Sequence, residues 1–183
     1  MTQAQLNLLM QRFIKEPQKY NGIEPANVKE KNDRIFCEEF FGCKEINHAY
    51  LAEILTSSIN ANDELALDLL LMLLSHFRCV NHYCVTLAPL LIQPWHHLHD
   101  RVACVLEFES DERIIEFLYQ GSMYRCDNLE YESDYCEFNR KCLFALAKIG
   151  TQEAIKSIKN VSKVENPIIA NHALKILEQY GLT

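Results

Sequence analysis

The sequence predicts an all-α protein made of paired helices, and three observations support that fold class. Apolar residues recur at three- and four-residue spacing along nearly all of the 183-residue chain, which is the periodicity of amphipathic helices. Glycine and proline, with five residues each, are scarce, so few positions interrupt a helix. The 49% share of hydrophobic residues can bury a sizeable core, and we expect residues 1–183 to form a single domain.

Residues 1–45 are predicted to form an N-terminal helical extension. A first amphipathic helix covers about residues 3–15, and a short helix covers about residues 34–41 and ends at Gly42, a residue suited to a helix C-terminus. The polar stretch 16–33 between them contains two prolines and a glycine. We interpret that stretch as an irregular connection.

Residues 46–183 are predicted to form about four helical hairpins. The expected pairs are 47–59 with 63–77, 82–92 with 95–108, 111–121 with 135–149, and 152–162 with 167–180. The predicted N-caps are Asn62, Ser110, Thr151 and Asn166, and the predicted C-terminal glycines are Gly150 and Gly181. Pro89 falls inside a predicted helix, where its missing backbone N–H should kink or break the segment.

The last third of the chain carries a repeated apolar pattern. Its residues are Cys142-Leu-Phe-Ala-Leu-Ala-Lys-Ile-Gly150, Thr151-Gln-Glu-Ala-Ile155, and His172-Ala-Leu-Lys-Ile-Leu177 with Gly181. Leu174 and Leu177 repeat Leu143 and Leu146 at an offset of 31 residues. In this pattern the chain resembles the HEAT family, especially its short lyase-like repeats. The resemblance implies a right-handed α-α superhelix of stacked hairpins, with these leucines lying between successive hairpins.

Composition favours a soluble, cytoplasmic protein. The N-terminus lacks the basic region, apolar core and small-residue cleavage site of a secretory signal. The longest apolar run, between Asp68 and Arg78, is far shorter than the roughly 20 residues of a membrane span, so we expect no membrane association. We interpret the eight cysteines as mostly reduced thiols. Cys104 and Cys142 fall on apolar helical stripes, where a thiol acts as a small hydrophobe.

Acidic charge is concentrated between Glu107 and Phe138. That segment has ten acidic residues against two arginines, a net charge of −8, whereas the whole chain carries −7. Aromatic residues are interleaved with the acids, among them Tyr124, Tyr131, Tyr135 and Phe138. Arg125 to Ser133 shows no convincing helical stripe, so we predict an acidic loop near 124–134, inserted between the helices of the third hairpin.

A long loop in a compact helical protein usually has a task. Aromatic anchors among carboxylates suit the capture of a cationic surface, because the rings supply buried area and the acids speed encounter. The predicted contact residues are Tyr124, Asp127, Glu130, Tyr131, Glu132, Asp134, Tyr135 and Glu137. The alternative is a solvated acidic loop whose tyrosines cover the hairpin.

These features favour a stoichiometric protein-binding module over an enzyme. In size and charge the chain resembles small acidic proteins that neutralise basic bacterial nuclease toxins, including immunity proteins of contact-dependent inhibition systems. That resemblance implies a basic protein partner, such as a toxin domain, and no cofactor. The alternatives are an enzyme similar to the HEAT-like bilin lyases, which handle a tetrapyrrole, and a generic HEAT-repeat scaffold. A HEAT-like DNA glycosylase, like other nucleic-acid binding, is disfavoured because it needs a cationic surface.

One group of side chains has the residue types of a zinc site. Its members are Cys79, His82 and Cys84 with His96 or His99, and His96 could also share a helical face with Asp100. The sequence has no Cys-x-x-Cys pair, so we expect no metal and interpret these residues as packing at a hairpin edge beside Trp95. The common phosphate, dinucleotide, zincin and hydrolase motifs do not occur either.

Overall fold

The computed structural model of the protein describes residues 1–15, 26–125 and 132–182, with the backbone alone for 132–136. All regular secondary structure in those ranges is helical, so the all-α prediction is confirmed. The chain divides into two compact units, which we call the N-terminal unit (Met1–His76) and the C-terminal unit (Phe77–Thr183). None of the described helices combines the length and the apolar character that crossing a bilayer requires.

Four α-helices and one π-helical turn form the described part of the N-terminal unit. They are α1 (Gln3–Met10), the π-helical turn Gln11–Lys15, α2 (Ala26–Phe41), α3 (His48–Asn60) and α4 (Glu64–His76). Helix α1 begins with a capping box, because the Thr2 hydroxyl accepts from the Gln5 amide while the Gln5 side chain accepts from the Thr2 amide. The core of this unit is the leucine-rich α4, which packs against α1 and α3.

Helix α2 is longer than the sequence predicted. It begins at Ala26 rather than near residue 34, so 26–33 is helical and not part of an irregular connection. The physical reason is that none of the residues 26–33 is buried, while the buried residues Phe36, Cys37 and Phe40 all lie in the second half of the helix. Apolar periodicity therefore indicated only that half. Residues 16–25 of the predicted connection lie outside the described residues.

The C-terminal unit contains both α-helices and short 3₁₀ segments. In chain order they are the 3₁₀ turn Val80–His82, α5 (Cys84–Leu87), the 3₁₀ segment Ala88–Ile92, α6 (His99–Leu106), the 3₁₀ turn Glu112–Ile114, α7 (Ile115–Gly121), α8 (Glu132–Ile149), α9 (Gln152–Val161) and α10 (Pro167–Gln179). The predicted helix 82–92 is broken into these short pieces at Pro89, which cannot donate the backbone hydrogen bond that a continuous helix needs. The break that the sequence indicated is confirmed.

The elements of the C-terminal unit pack in chain order. Within each predicted pair the partners touch, as α7 does with α8 and α9 with α10. The first members contact one another in succession, from Ala88–Ile92 to α7 to α9. The second members do the same, from α6 to α8 to α10. The described elements of this unit therefore form two layers of successive helices.

Two of the predicted helix caps fall one residue later than expected. Asp63, not Asn62, accepts from the Ala66 amide at 3.0 Å, and Asp111, not Ser110, accepts from the Arg113 amide at 2.9 Å. Asn62 has φ of +52°, a conformation that ends the preceding helix instead of starting the next. The predicted caps Thr151 and Asn166 and the left-handed glycines Gly42, Gly150 and Gly181 are confirmed.

Two residues predicted on buried stripes are exposed. Leu143, Leu146 and Leu177 are buried as expected, but the side chain of Leu174 is 53% exposed. The buried stripe of α10 runs through Ile169, Ala173, Ile176 and Leu177, and Leu174 lies to one side of it. Likewise Cys142 is buried whereas Cys104 is exposed, because the buried stripe of α6 runs through Val102, Ala103 and Leu106.

Candidate partner-binding surface

The eight predicted contact residues divide according to what the structure describes. Tyr124 and Glu137 have described side chains. Asp127, Glu130 and Tyr131 lie outside the described residues. Glu132, Asp134 and Tyr135 lie in the first turn of α8, where the backbone alone is described, so this helix begins three residues earlier than expected and includes the end of the predicted loop. The assignment of these residues as contacts stays a prediction.

Tyr124 follows the end of α7 and is held against the interior of the C-terminal unit. Its ring stacks on His99, with ring centroids 5.4 Å apart and planes 26° apart. The carbonyl oxygen of Tyr124 accepts a hydrogen bond from Nδ2 of Asn139 at 3.2 Å, and the same amide nitrogen donates to the Gly121 carbonyl at 2.9 Å. Asn139 is fully buried, so this amide joins the end of α7 to α8.

Glu137 and Arg140 form an exposed ion pair on α8. Nη2 of Arg140 lies 2.5 Å from Oε1 of Glu137, and the two side chains are 40% and 44% exposed respectively. The hydrogen bond from Arg140 lowers the pKa of Glu137, which therefore stays ionised at neutral pH. The neighbouring Phe138 is fully buried and contributes no exposed ring, unlike the aromatic residue expected from its place among the acids.

Two histidines lie at the centre of this region. His96 is 0% exposed and His99 is 3% exposed, and their ring centroids are 4.5 Å apart. His99 also contacts Phe138 edge-on at 5.9 Å. We call His96, His99, Tyr124, Phe138 and Asn139 the histidine cluster. It joins α6, the end of α7 and α8 through buried rings and one buried amide.

The proposed zinc ligands do not converge. Within the described ranges, no group of three or more histidine, cysteine or acidic side chains could hold a metal ion. Burial raises the pKa of both the Cys79 and the Cys84 thiols to about 11, so neither offers a thiolate at neutral pH. Cys84 donates instead to Oδ2 of Asp111 at 3.3 Å. His96 accepts from the Leu98 amide, and His99 lies within hydrogen-bond distance of the Gln93 carbonyl.

Among the described side chains of the region, the most exposed aromatic one is a residue that the tyrosine pattern did not indicate. Phe108 is 67% exposed and follows the end of α6. It lies within a run of six residues that carries four carboxylates, which we call the acidic strip and define as residues 107–112. The alternation Glu-Phe-Glu within the charged segment is the sequence signal that could have indicated it. A single exposed phenyl ring is common on protein surfaces, and it is the position of this ring among four carboxylates that makes it a candidate anchor.

Lys148, near the end of α8, holds the acidic strip in place. Its Nζ donates to the carbonyl oxygen of Phe108 at 2.5 Å and lies 5.1 Å from the centroid of the Phe108 ring. Burial raises the pKa of Glu109, an effect that the charge of Lys148 opposes. Hydrogen bonds from Arg113 hold the pKa of Asp111 well below its usual range. The strip therefore presents carboxylates of different acidity around one anchored ring.

No protein-family model, curated protein or solved structure shows a significant match to this chain. Any function assigned to the surface therefore depends on its own geometry and charge.

The N-terminal unit contains a second polar cluster. Arg12, in the π-helical turn, forms an ion pair with Oδ1 of Asp33 on α2, and that oxygen is 2.8 Å from Nε2 of His76 on α4. The guanidinium carbon of Arg12 lies 4.5 Å from the centroid of Phe36. Arg12 also lines an open cleft of about 350 Å³ with Glu39. Its charge is matched by that of Asp33, so we assign the cluster a structural role.

Proposed function

We propose that the C-terminal unit is a stoichiometric binding module for a basic protein. Its docking surface would consist of the acidic strip and the predicted contact residues between Tyr124 and Glu137. The observation that supports this most directly is the 67% exposure of Phe108 among four carboxylates. Aromatic side chains that become buried on association supply most of the binding energy at many interfaces. Surrounding charges of one sign accelerate encounter with an oppositely charged surface.

The way in which Phe108 is held favours binding. Because Lys148 bonds the Phe108 carbonyl and lies near its ring, the backbone at this position is fixed before any partner arrives. Ordering an interface side chain costs roughly 0.5–1.5 kcal/mol, and a fixed backbone reduces the ordering that remains. A tethered aromatic residue is therefore a better anchor than one on an untethered loop.

Glu137 and Lys148, the residue that bonds the Phe108 carbonyl, lie on one side of α8. Lys148 is eleven residues after Glu137, and eleven residues are close to three full turns at 3.6 residues per turn. The two positions are therefore about 16 Å apart along the helix and on the same side of it. That separation fits within an interface of standard size, which buries about 800 Å² on each partner.

We further propose that the hairpins stack as a HEAT-like right-handed superhelix and that the partner is a toxin-type domain. Support for the first comes from the packing of first and second helices in chain order. Support for the second comes from the net charge of −8 between residues 107 and 138. A concentrated acidic segment is suited to covering a cationic active surface.

A salt-dependent binding measurement tests the proposal. Products of the genes that flank this one serve as candidate partners, and association is measured by surface plasmon resonance at 50 and 300 mM salt. We expect Phe108→Ala to weaken binding at least tenfold, as loss of an aromatic anchor does. Leu174→Ala is the matched control, because Leu174 is 53% exposed on α10 and should leave affinity unchanged.

Charge is tested separately from the aromatic anchor. Glu107→Gln with Glu112→Gln should slow association roughly threefold or more at low salt and flatten its salt dependence. Glu165→Gln with Glu178→Gln removes the same charge from the opposite, basic part of the sequence and is the control. Equal effects from the two pairs would show that net charge alone acts and that the acidic strip is not the docking surface.

A further inference from the structure

The histidine cluster has hydrogen bonds that define which ring nitrogens carry protons. Nδ1 of His96 accepts from the backbone amide of Leu98 at 3.1 Å, so that nitrogen has no proton. Nε2 of His99 is 2.9 Å from the carbonyl oxygen of Gln93, which can only accept, so that nitrogen carries the proton. Both arrangements suit a neutral imidazole. Two hydrogen bonds between histidine side chains and the backbone therefore hold the conformation of the segment between Gln93 and His99.

A second proton on the His96 ring would break the hydrogen bond from the Leu98 amide. Nδ1 would become a donor facing the Leu98 amide, which is itself a donor, and the bond would be lost. A proton on each ring would place two positive charges about 4.5 Å apart where both rings are almost fully buried. Charge on the pair therefore opposes the observed packing.

The charged groups of the elements packed around the two rings include two described carboxylates. From α6 these groups are Asp100 and Arg101, from the segment before it His97, and from the described side chains of α8 Glu137, Arg140 and Lys141, while Tyr124 supplies a phenol after α7. The carboxylate of Asp100 is bonded by Nζ of Lys141 at 2.7 Å, and that of Glu137 is bonded by Arg140. Both described carboxylates therefore already have cationic partners.

We propose that the histidine cluster is a pH-sensitive junction that positions Tyr124 at neutral pH and loosens the end of α7 from α8 in mild acid. Tyr124 stacks on His99, and Asn139 bonds its carbonyl, so a shift of α6 is transmitted to this residue. Acidification would then release a partner bound through Tyr124 and Glu137, a consequence that rests on the proposed function. The junction itself does not.

The test measures the junction without any partner. Hydrogen exchange by mass spectrometry follows peptides covering residues 115–125 in the isolated chain at pH 7.5, 6.5 and 5.5, with rates corrected for intrinsic exchange. We expect the opening of these amides to increase by up to tenfold for each unit of pH below the transition, as coupling to one proton requires. Peptides of α9, which contains no histidine, are the internal control.

Two substitutions keep the hydrogen bonds and remove the titration. His96→Asn places an amide oxygen near the position of Nδ1, and His99→Gln places an amide nitrogen near that of Nε2. The double variant should show the same corrected exchange at all three pH values. His172→Gln changes a half-buried histidine of α10 and should keep the full pH dependence. A wild-type chain without pH dependence, or a double variant that retains it, overturns the proposal.

If the double variant does not fold, a second measurement on the wild-type chain tests the same proposal. In the wild-type chain, NMR follows the ring signals of Tyr124 and of the two histidines across the same pH range. Tyr124 signals that change together with those of His96 or His99 support the junction. Histidine signals that titrate while Tyr124 stays unchanged overturn it. Failure to find a basic partner would remove the proposed function and leave both results standing, so the two ideas fail separately.

Discussion

Replacing Arg12 with methionine should destabilise the N-terminal unit by about 3 kcal/mol. Its side chain is 3% exposed, forms an ion pair with Asp33 and packs on Phe36. Methionine keeps much of the apolar contact but leaves the carboxylate of Asp33 without its guanidinium partner. Breaking a buried pair costs roughly 3–5 kcal/mol. The lower end applies because the Asp33 side chain is 23% exposed, so water offsets part of the loss.

Urea unfolding followed by far-ultraviolet circular dichroism at pH 7.5 measures this loss, with equal slopes as the condition for comparing variants. Arg34→Met removes an exposed cation from α2, the helix that carries Asp33, and should change stability by less than about 0.5 kcal/mol. Adding Asp33→Asn to Arg12→Met should recover part of the loss, because no buried charge then remains. If Arg12→Met costs no more than Arg34→Met, the buried pair does not stabilise this unit and the reasoning is refuted.

Three further predictions concern stability and reactivity. Burial lowers the pKa of His76, so the unfolded chain binds more protons than the folded one just below the usual histidine pKa. Stability should therefore fall as pH decreases from about 6.5, and His76→Gln should reduce that slope in urea titrations at pH 7 and 5.5. Leu70→Ala, at a fully buried position of α4, should lower the free energy of unfolding by roughly 2–5 kcal/mol in the same assay. Leu174→Ala, at an exposed position, should lower it by less than about 0.5 kcal/mol. Similar losses from the two substitutions would contradict the burial described. Iodoacetamide at pH 8 should label the exposed Cys104 well before Cys84, because burial raises the pKa of the Cys84 thiol to about 11. Mass spectrometry that showed the reverse order would count against the packing of α5.

The acidic strip illustrates a cost that a binding surface imposes on its own fold. Its carboxylates repel one another, and the described cations near them are Lys148 and Arg113. Burial already raises the pKa of Glu109 in this setting. Binding of a basic partner would relieve the repulsion between these carboxylates. Charge that favours binding therefore destabilises the unbound fold at the same surface.

The sequence located the last two helices of the C-terminal unit well and two other helices poorly, since the predicted helix 95–108 is helical only over His99–Leu106 and α2 begins before its predicted start. Helices α9 and α10 begin and end within two residues of expectation, since strong caps and C-terminal glycines define their ends locally. The first turns of α2 were missed because they carry no buried residues. Apolar periodicity detects a helix by the face that packs, so a helix segment with little packing leaves no pattern to detect.

The candidate surface was only partly predictable. The acidic charge between residues 107 and 138 was evident, but the sequence could not distinguish the exposed Phe108 from the buried Phe138, because both follow a glutamate in the same charged segment. Burial of Phe138 depends on α8 packing against α6 and α7. Likewise Arg12 follows the buried Leu9 by three residues, so the two share a helix face and the sequence could have indicated a buried arginine. The spacing could not show that Asp33 is the partner of Arg12.

The sequence by itself determined the all-helical class, the bounds of α9 and α10 and the break at Pro89, because hydrogen bonds within a helix and the loss of one at proline depend on residues a few positions apart. Only the tertiary structure decided which polar side chains meet. Asp33 and His76 are 43 residues apart in the chain and 2.8 Å apart in space. Contacts of that kind are set by the packing of whole helices against one another, and no local pattern encodes the distance between them.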